Sequence, residues 1–253
     1  MKGLILLDIF SYSCMNCLRS LEFIKKIDKK YGKFGLKTVI IHPPEWEFEK
    51  NKENMLFAFK KHGVKFPVLI DRNKKFIRKL NMDFWPTQVL MTNGRILYKH
   101  VGEGNYKKLE DKIMQILEIK SKKIFNKEPK YSKYPAIYLG KRKKGKLTGF
   151  KNRLKAGFIY KGGKWIQKDE FLQSRENDCF LTLLTRGNLI SFVAKSTNNK
   201  KLKVKIRLGN NFIRNMTVNK PRLYNIIRLK DNKPRKLELT TKPNLAVYSF
   251  SFQ

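Results

Sequence analysis

Two cysteines three positions apart, Cys14 and Cys17 in the stretch SYSCMNCLRS, are the residues of this chain best suited to chemistry. They stand where an apolar run ends and a helical pattern begins. A thiol in the first turn of a helix meets unpaired backbone N–H groups and the positive end of the helix dipole, and both favour the nucleophilic thiolate. A second thiol one turn later can attack the mixed disulfide that the first one forms. The spacing therefore predicts a redox-active dithiol in which Cys14 attacks and Cys17 resolves.

Two other interpretations of this pair compete with redox chemistry. A structural zinc site needs four ligands, and only His42, His62, His100 and the lone Cys179 are left to complete one. The third interpretation is a pair of unreactive core cysteines. A CxxC that follows a strand in a β-α-β setting favours the redox pair, which needs no metal or organic cofactor. Cys179 lies in the apolar run CFLTLLT, and we expect a buried spectator there, because free cysteine is among the most buried residue types.

Two acidic residues are candidates for moving the proton during exchange. Asp8 lies inside the apolar run LILLDIF, six residues before Cys14. A carboxyl buried there has a raised pKa and can take the proton of Cys17, whereas a carboxyl at the solvated end of the strand has no such role. We favour the catalytic interpretation, because a charge within an apolar strand is costly. Glu45 follows two prolines at the end of the next strand-like run, and either reaches the same space or is a loop carboxylate.

The stretch FWPTQ supplies a candidate substrate-binding segment, made of Trp85, Pro86 and Thr87. A peptide bond before proline is the usual place for a cis peptide. A cis proline beside a dithiol exposes backbone groups that can pair with an extended substrate chain, and Trp85 would form an apolar wall. The alternative is an ordinary trans proline at the start of a strand. The presence of the CxxC favours the cis form.

The elements that must position these residues follow from hydrophobic periodicity. The first half predicts strands and helices in the order β-α-β-α, then a β-α insertion, then β-β-α, which indicates an α/β domain with a parallel start and an antiparallel hairpin at its end. Asn93-Gly94 between two strand-like runs predicts the turn of that hairpin. The predicted strands are 3–10, 36–42, 66–71, 87–91 and 95–101, and the predicted helices are 18–31, 51–63, 74–80 and 105–125.

The second half of the chain has a different pattern. Residues 126–135 form a polar linker, and from 136 to 253 short strand-like runs alternate with Gly, Asn and Pro clusters, which predicts a β-sandwich or jelly roll. Four aromatic residues of this region could stack on sugar rings. For each taken singly, a place in the sandwich core is the favoured interpretation. They are Tyr138, Tyr160, Trp165 and Tyr224.

The composition limits the class of protein. The chain has 57 basic and 20 acidic side chains, a net charge of +37, and 41% apolar residues, so a packed core is expected. Nucleic-acid binding is disfavoured, because no RNA- or DNA-binding motif accompanies the charge. No run approaches the ~20 apolar residues of a membrane-spanning helix. MKGLILLDIF lacks the features of a signal peptide, because its apolar run is short, contains Asp8 and leads into the CxxC.

Taken together, these motifs resemble the thioredoxin superfamily, through LLDIFSYSCMNC, GVKFPVLID, WPT and TNGRILYKHVGEG. The GVKFPVLID insertion is similar to the TlpA-like branch. The whole chain further resembles the soluble C-terminal region of DipZ-type thiol-disulfide proteins, through YPAIYLGKR, NKPRLYNIIR and LAVYSFSF. The resemblance implies an α/β thioredoxin-like domain at 1–125, the linker 126–135, and an all-β, jelly-roll-like sandwich at 136–253 similar to carbohydrate-binding modules.

The resemblance also implies a function. It identifies a thiol-disulfide oxidoreductase with a redox-active Cys14–Cys17 disulfide, Asp8 as the buried acid, Glu45 as a second acid and Pro86 as the cis proline. Its partners would be protein disulfides, a glycan at the second domain, and a separate thiol donor in the membrane, because the membrane portion of full DipZ proteins is absent here. The family suggests the cell envelope or periplasm.

Two rivals to this function remain. A peroxide reductase lacks support, because no Thr-x-x-Cys arrangement precedes the pair. In the other, a binding protein holds a glycan or another anionic polymer on its basic β-sandwich, and its thioredoxin-like domain is not catalytic.

Overall fold

The computed structural model describes residues 3–128, 134–143, 145–151 and 153–253 of the chain. The chain divides into two compact units, Met1–Tyr131 and Ser132–Gln253. The division lies within residues 126–135, where the sequence predicts a linker, and residues 129–133 of that segment are outside the described part. The predicted domain bounds themselves stay predictions.

Unit 1 is built on a five-stranded sheet whose central strand leads to the cysteines. The strands are β1 (Leu4–Ile9), β2 (Leu36–His42), β3 (Val68–Ile70), β4 (Thr87–Thr92) and β5 (Arg95–Val101). Their order across the sheet is β3-β2-β1-β4-β5. The first three are parallel, while β4 runs antiparallel to β1 and β5 antiparallel to β4. Asn93 and Gly94 both have positive φ and form the predicted turn between β4 and β5.

Helices cover both faces of this sheet. They are α1 (Met15–Tyr31), α2 (Lys52–Lys61), α3 (Lys75–Lys79) and α4 (Tyr106–Ile116), with 3₁₀ turns at Gly32–Phe34 and Glu47–Lys50. Leu6 of β1 packs in a buried cluster with α1 and α4, and Leu7 packs in another with α3. The continuous apolar run of β1 is therefore explained by burial on both faces, and the predicted α/β domain is confirmed. No helix in the described ranges is long and apolar enough to cross a membrane.

The predicted extent of the last helix of unit 1 is wrong. It was expected over 105–125, but α4 ends at Ile116. Two residues later, Glu118 adopts a left-handed conformation with φ 54°. The buried Glu110 carboxylate then accepts the backbone N–H groups of Ile124 at 2.7 Å and Phe125 at 2.9 Å. A side-chain acceptor thus replaces the helical hydrogen bonds of this segment, which no periodicity in the sequence reveals.

Unit 2 consists of two six-stranded sheets. Its strands are β6 (Ile137–Tyr138), β7 (Lys146–Gly149), β8 (Phe158–Gly162), β9 (Trp165–Gln167), β10 (Leu172–Ser174), β11 (Cys179–Leu184), β12 (Leu189–Ser196), β13 (Leu202–Leu208), β14 (Asn211–Val218), β15 (Arg222–Arg228), β16 (Lys236–Thr241) and β17 (Leu245–Phe252). One sheet has the order β15-β12-β17-β10-β9 with β6 on β17, and the other β14-β13-β16-β11-β8-β7. Phe192 and Val247 of the first sheet share one buried cluster with Val204 and Leu239 of the second, as in a β-sandwich.

The aromatic residues considered for sugar stacking lie mostly inside this core. Tyr160, Trp165 and Tyr224 expose only 2%, 8% and 4% of their surface, so they cannot stack on a sugar, and the core interpretation is confirmed for them. Tyr138 is half-buried. Cys179 is also buried, and its thiol donates to the Lys164 carbonyl at 3.2 Å, as expected of a spectator.

Candidate active site

Cys14 and Cys17 occupy different environments at the start of α1. Cys14 is the N-cap residue, with extended φ and ψ of −80° and 120°, and its Sγ accepts the backbone N–H of Cys17 at 3.4 Å. The Cys14 side chain is partly exposed, whereas Cys17 is fully buried, and both thiols are free. An approaching disulfide therefore meets Cys14 first. The helix start that the sequence predicts at this pair is present.

The Cys17 thiol is held in its protonated form. Burial raises the pKa of Cys17 well above its usual value, and the hydrogen bond and charge of Cys14 and the charge of Asp8 raise it further. A thiol of this kind reacts as a nucleophile only after a base has taken its proton. A base for this thiol must reach a fully buried group, which favours one that is buried beside it.

Asp8 is such a group. It is the penultimate residue of β1 and has no exposed surface, on the face toward α1. Gln88 Nε2 donates to Asp8 Oδ1 at 3.1 Å and lies at the same distance from Ser20 Oγ on α1, while Asp8 Oδ2 has no hydrogen-bond partner among the described atoms. Burial raises the pKa of Asp8 to about 7, against a smaller lowering by Gln88. The predicted burial of Asp8 is confirmed, and a carboxyl in this state can both accept and return a proton near neutral pH.

The segment before β4 lies at the same edge of the sheet as the cysteines. Thr87, the first residue of β4, pairs with Ile9, the last residue of β1. The Trp85–Pro86 peptide bond is cis, as predicted, and Pro86 is buried with its carbonyl accepting the N–H of Gly102 at 2.8 Å. Sequence reasoning missed Phe84 next to it, an apolar side chain with 70% of its surface exposed.

Glu45 is brought to this segment. Its carboxylate accepts the indole N–H of Trp85 at 3.2 Å, and only 8% of its surface is exposed. Glu45 therefore lies in the loop after β2 and is tied to the residue that precedes the cis proline. A role of Glu45 in proton transfer stays a prediction.

A second buried glutamate, Glu49 in the 3₁₀ turn after β2, was missed by sequence reasoning. It has no exposed surface, and its carboxylate accepts hydrogen bonds from Ser11 Oγ at 2.8 Å, Ser13 Oγ at 2.5 Å and the Glu45 N–H at 2.7 Å. Burial raises the pKa of Glu49. The nearest signal in the sequence is the pair of aromatic residues Trp46 and Phe48 in EWEFEK, which a solvated turn would not need.

The ion pair between Arg19 and Glu103, which sequence reasoning missed, restrains Asn16 between the two cysteines. Arg19 donates to both carboxylate oxygens of Glu103, from Nε at 2.7 Å and Nη2 at 2.6 Å, and Nη2 also donates to Asn16 Oδ1 at 2.6 Å. The two charged side chains are only 14% and 6% exposed. Glu103 lies in the turn after β5, so a contact across 84 residues of sequence restrains the CxxC. Only the fold reveals such a pair.

No three His, Cys, Asp or Glu side chains of the described residues gather in a way that could hold a metal ion. The groups of this site are two thiols, three buried carboxyls and their amide, hydroxyl and indole donors. Groups of these kinds are suited to proton transfer and to thiol-disulfide exchange.

Comparison with known proteins gives two family matches that do not overlap. Residues 2–115 match the family described as Redoxin, and residues 135–252 match the family described as Thioredoxin like C-terminal domain. Unit 1 and unit 2 therefore each contain a recognised domain.

Known proteins are similar to less than half of this chain. Protein DipZ of Mycobacterium tuberculosis is 29% identical over 114 residues, which are 45% of this chain and 16% of that protein. The Thioredoxin-like protein SkfH of Bacillus subtilis is 26% identical over 110 residues, 43% of this chain and 76% of SkfH. A solved structure, a putative Thiol:disulfide interchange protein DsbE from Chlorobium tepidum, is 22% identical with a TM-score of 0.42, and covers 46% of this chain and 81% of its own. The chain thus spans about a sixth of the DipZ protein that it matches.

Proposed function

We propose that this chain, which belongs to the TlpA-like thioredoxin superfamily, is a thiol-disulfide oxidoreductase acting on protein disulfides through Cys14 and Cys17. The matched relatives support thiol redox chemistry in general. The observation that carries the specific proposal is the contrast between the partly exposed Cys14 at the helix N-cap and the fully buried Cys17 beside the buried Asp8.

The exchange proceeds in two steps. The Cys14 thiolate attacks one sulfur of the substrate disulfide, so that a mixed disulfide forms and the other substrate sulfur leaves as a thiolate. Cys17 then loses its proton to Asp8 and attacks Cys14 Sγ, which releases the second substrate thiolate. The substrate gains two electrons, the protein is left with a Cys14–Cys17 disulfide, and a separate thiol donor must reduce it. The same steps run backwards when the protein oxidises a dithiol.

The substrate chain would lie along the cis-proline segment. The segment Trp85, Pro86 and Thr87 would contact an extended polypeptide, and Trp85, held by Glu45, would form the apolar wall. Glu45 would act as a second acid that helps to return protons to the leaving thiols. The exposed Phe84 extends the same apolar surface.

Trapping of the intermediate tests this function. In a Cys17→Ala variant the second step cannot occur, so incubation with insulin, a polypeptide with accessible disulfides, should leave an insulin chain attached to Cys14, visible as a mass increase. Cys14→Ala should give no adduct. Cys179→Ala, which removes a buried thiol of unit 2, should turn over insulin like the unmodified protein. Absence of any adduct on Cys17→Ala would contradict the proposal.

The charges of unit 2 favour a second candidate function. Lys203, Lys205 and Arg207 alternate along β13 and are all exposed, so they form a row of cations on one face of the strand. Such a row suits an anionic polymer, including an acidic glycan, and unit 1 would then be a scaffold. Binding of a sulfated polysaccharide at ~0.15 M salt, where loose charge attraction is screened, should be lost in Lys203→Ser/Lys205→Ser. It should persist in the matched variant Lys200→Ser/Lys201→Ser, and equal binding by both would contradict this function.

A further inference from the structure

Glu49 is a buried carboxylate for which the exchange steps above have no use. It accepts hydrogen bonds from three residues through both of its oxygens. Ser11 Oγ donates at 2.8 and 3.1 Å, Ser13 donates from Oγ at 2.5 Å and from N at 3.2 Å, and Glu45 N donates at 2.7 Å. A carboxylate has about four lone-pair sites, so its acceptor capacity is filled. The site is built around this one group.

The donors belong to two separate parts of the active site. Ser11 and Ser13 form the turn that leads into α1, and the Ser11 carbonyl accepts the N–H of Cys14 at 3.2 Å. Glu45 holds the indole of Trp85, the residue before the cis Pro86. Glu49 therefore joins the turn that presents Cys14 to the residue that holds the substrate wall.

Burial of this carboxylate is not explained by stability. An ionisable group without exposed surface is costly to bury, and apolar residues of the same size would be as stable or more so. A fully satisfied buried network instead fixes one arrangement of the groups around it. The groups that face Glu49 are Ser11, Ser13, Glu45 and His42, whose ring nitrogens lie 2.9 Å from the Phe10 carbonyl and 3.4 Å from that of Glu49.

We propose that Glu49 is a positioning residue for exchange with polypeptide disulfides. It sets the Cys14 turn against the Trp85–Pro86 segment, so that one extended chain can pair with the segment while its disulfide meets Cys14. This inference rests on the proposed oxidoreductase function and adds the residue that determines its preference for polypeptide substrates.

The proposal predicts a difference between two kinds of substrate. A polypeptide disulfide must contact both the cis-proline segment and Cys14, so it depends on their relative placement, and small misplacements of reacting groups cost one to two orders of magnitude in rate. A small disulfide such as hydroxyethyl disulfide needs Cys14 alone. Loss of Glu49 should therefore slow the first kind of exchange and leave the second nearly unchanged.

Glu49→Gln is the variant that tests this. It keeps the size of the side chain but places an amide N–H₂ against N–H and O–H donors. We expect the second-order rate constant of the reduced protein with insulin to fall roughly tenfold or more, and that with hydroxyethyl disulfide to change by less than about threefold. Glu110→Gln is the matched control, because Glu110 is equally buried and accepts from Tyr31, Ile124 and Phe125 away from the cysteines. It should alter neither rate constant.

Three results would overturn the proposal: equal slowing with both substrates, no slowing with either, or the same pattern in Glu110→Gln. Where Glu49→Gln does not fold, Ser13→Ala decides, because it removes only the 2.5 Å donor and should slow insulin exchange selectively by a smaller factor. Failure of the oxidoreductase function is a separate outcome, since the unmodified protein would then react with neither substrate.

Discussion

Gln88 lies directly opposite Asp8 in the antiparallel pair of β1 and β4, and its side-chain amide donates to Asp8 Oδ1 at 3.1 Å. The other oxygen, Oδ2, is buried with no hydrogen-bond partner among the described atoms. One neutral donor does not compensate a buried charge, so burial raises the pKa of Asp8 to about 7. The protein therefore holds beside Cys17 a carboxyl that is close to half-protonated at neutral pH.

This relationship predicts how stability depends on pH. The folded-state pKa of Asp8, about 7, lies above its ordinary value of 3.8, so the folded protein binds more protons between these values. The free energy of unfolding therefore falls as pH rises from 4 to 7. Asp8→Asn should raise that free energy at pH 8 by on the order of 2–4 kcal/mol and have little effect near pH 4.

Urea denaturation of the reduced protein at both pH values measures this effect. A Trp165→Phe background leaves Trp46 and Trp85 as reporters of unit 1 alone. A stability difference that is the same at pH 4 and pH 8 would show that Asp8 is not a buried carboxyl with a raised pKa.

The same variant should separate the two chemical steps. Because Asp8 is proposed to take the proton of Cys17, Asp8→Asn should slow resolution of the mixed disulfide by about 10²-fold at pH 7 and leave the first attack by Cys14 within about twofold of the unmodified rate. Stopped-flow mixing with a fluorescent peptide disulfide resolves the two phases. Equal slowing of both phases would point to a structural effect, and no slowing would remove Asp8 from the mechanism.

The ion pair between Arg19 and Glu103 should stabilise unit 1, and the two side chains should depend strongly on each other. Both side chains are largely buried and joined by two hydrogen bonds, so Arg19→Met or Glu103→Gln leaves a charge without its partner and should cost about 2–4 kcal/mol. The double variant should lower the free energy of unfolding by at least ~1.5 kcal/mol less than the sum of the two single variants. The exposed pair Lys50–Glu47, at 2.6 Å but 46% and 72% exposed, is the control. The coupling free energy of this exposed pair should stay below ~0.5 kcal/mol. Similar coupling free energies for the two pairs would contradict the claim that burial strengthens the Arg19–Glu103 pair.

A comparison of two glycines tests the packing of unit 2. Gly187 and Gly209 both have positive φ, 68° and 60°, but a Cβ at Gly187 would overlap the backbone carbonyl of Gln253, while nothing lies near one at Gly209. Gly209→Ala should cost only the ~1 kcal/mol of backbone strain. Gly187→Ala should cost about 3 kcal/mol or more, because backbone cannot move aside cheaply. Denaturation followed by Trp165 fluorescence in a Trp46→Phe/Trp85→Phe background measures both, and equal costs would contradict the described packing.

How far the sequence could predict this site depends on whether a residue's role is local. Cys14, Cys17 and Pro86 can be identified from their spacing and residue type. The position of Asp8 within an apolar run is enough to predict its burial. The end of α4 could not be predicted, because it depends on the Glu110 carboxylate accepting backbone N–H groups from residues 14 and 15 positions later.

The partners of the site residues were missed for the same physical reason. Gln88 reaches Asp8 across 80 residues of sequence, and Glu49 reaches Ser11 across 38, so each contact exists only once the sheet has formed. Burial of the aromatic residues in unit 2 was the favoured interpretation for each and is confirmed for Tyr160, Trp165 and Tyr224, although alternation along a strand gives two faces but not which one is covered.

Equilibration of the reduced protein in graded thiol-disulfide buffers, followed by mass tagging of the free thiols, tests the central claim most directly. The proposed mechanism predicts a reversible two-electron transition in which Cys14 and Cys17 lose reactivity together while Cys179 stays a free, buried thiol. The midpoint then gives the direction in which the protein works. If no Cys14–Cys17 disulfide forms at any buffer ratio, the pair is not a redox couple and the oxidoreductase function is contradicted.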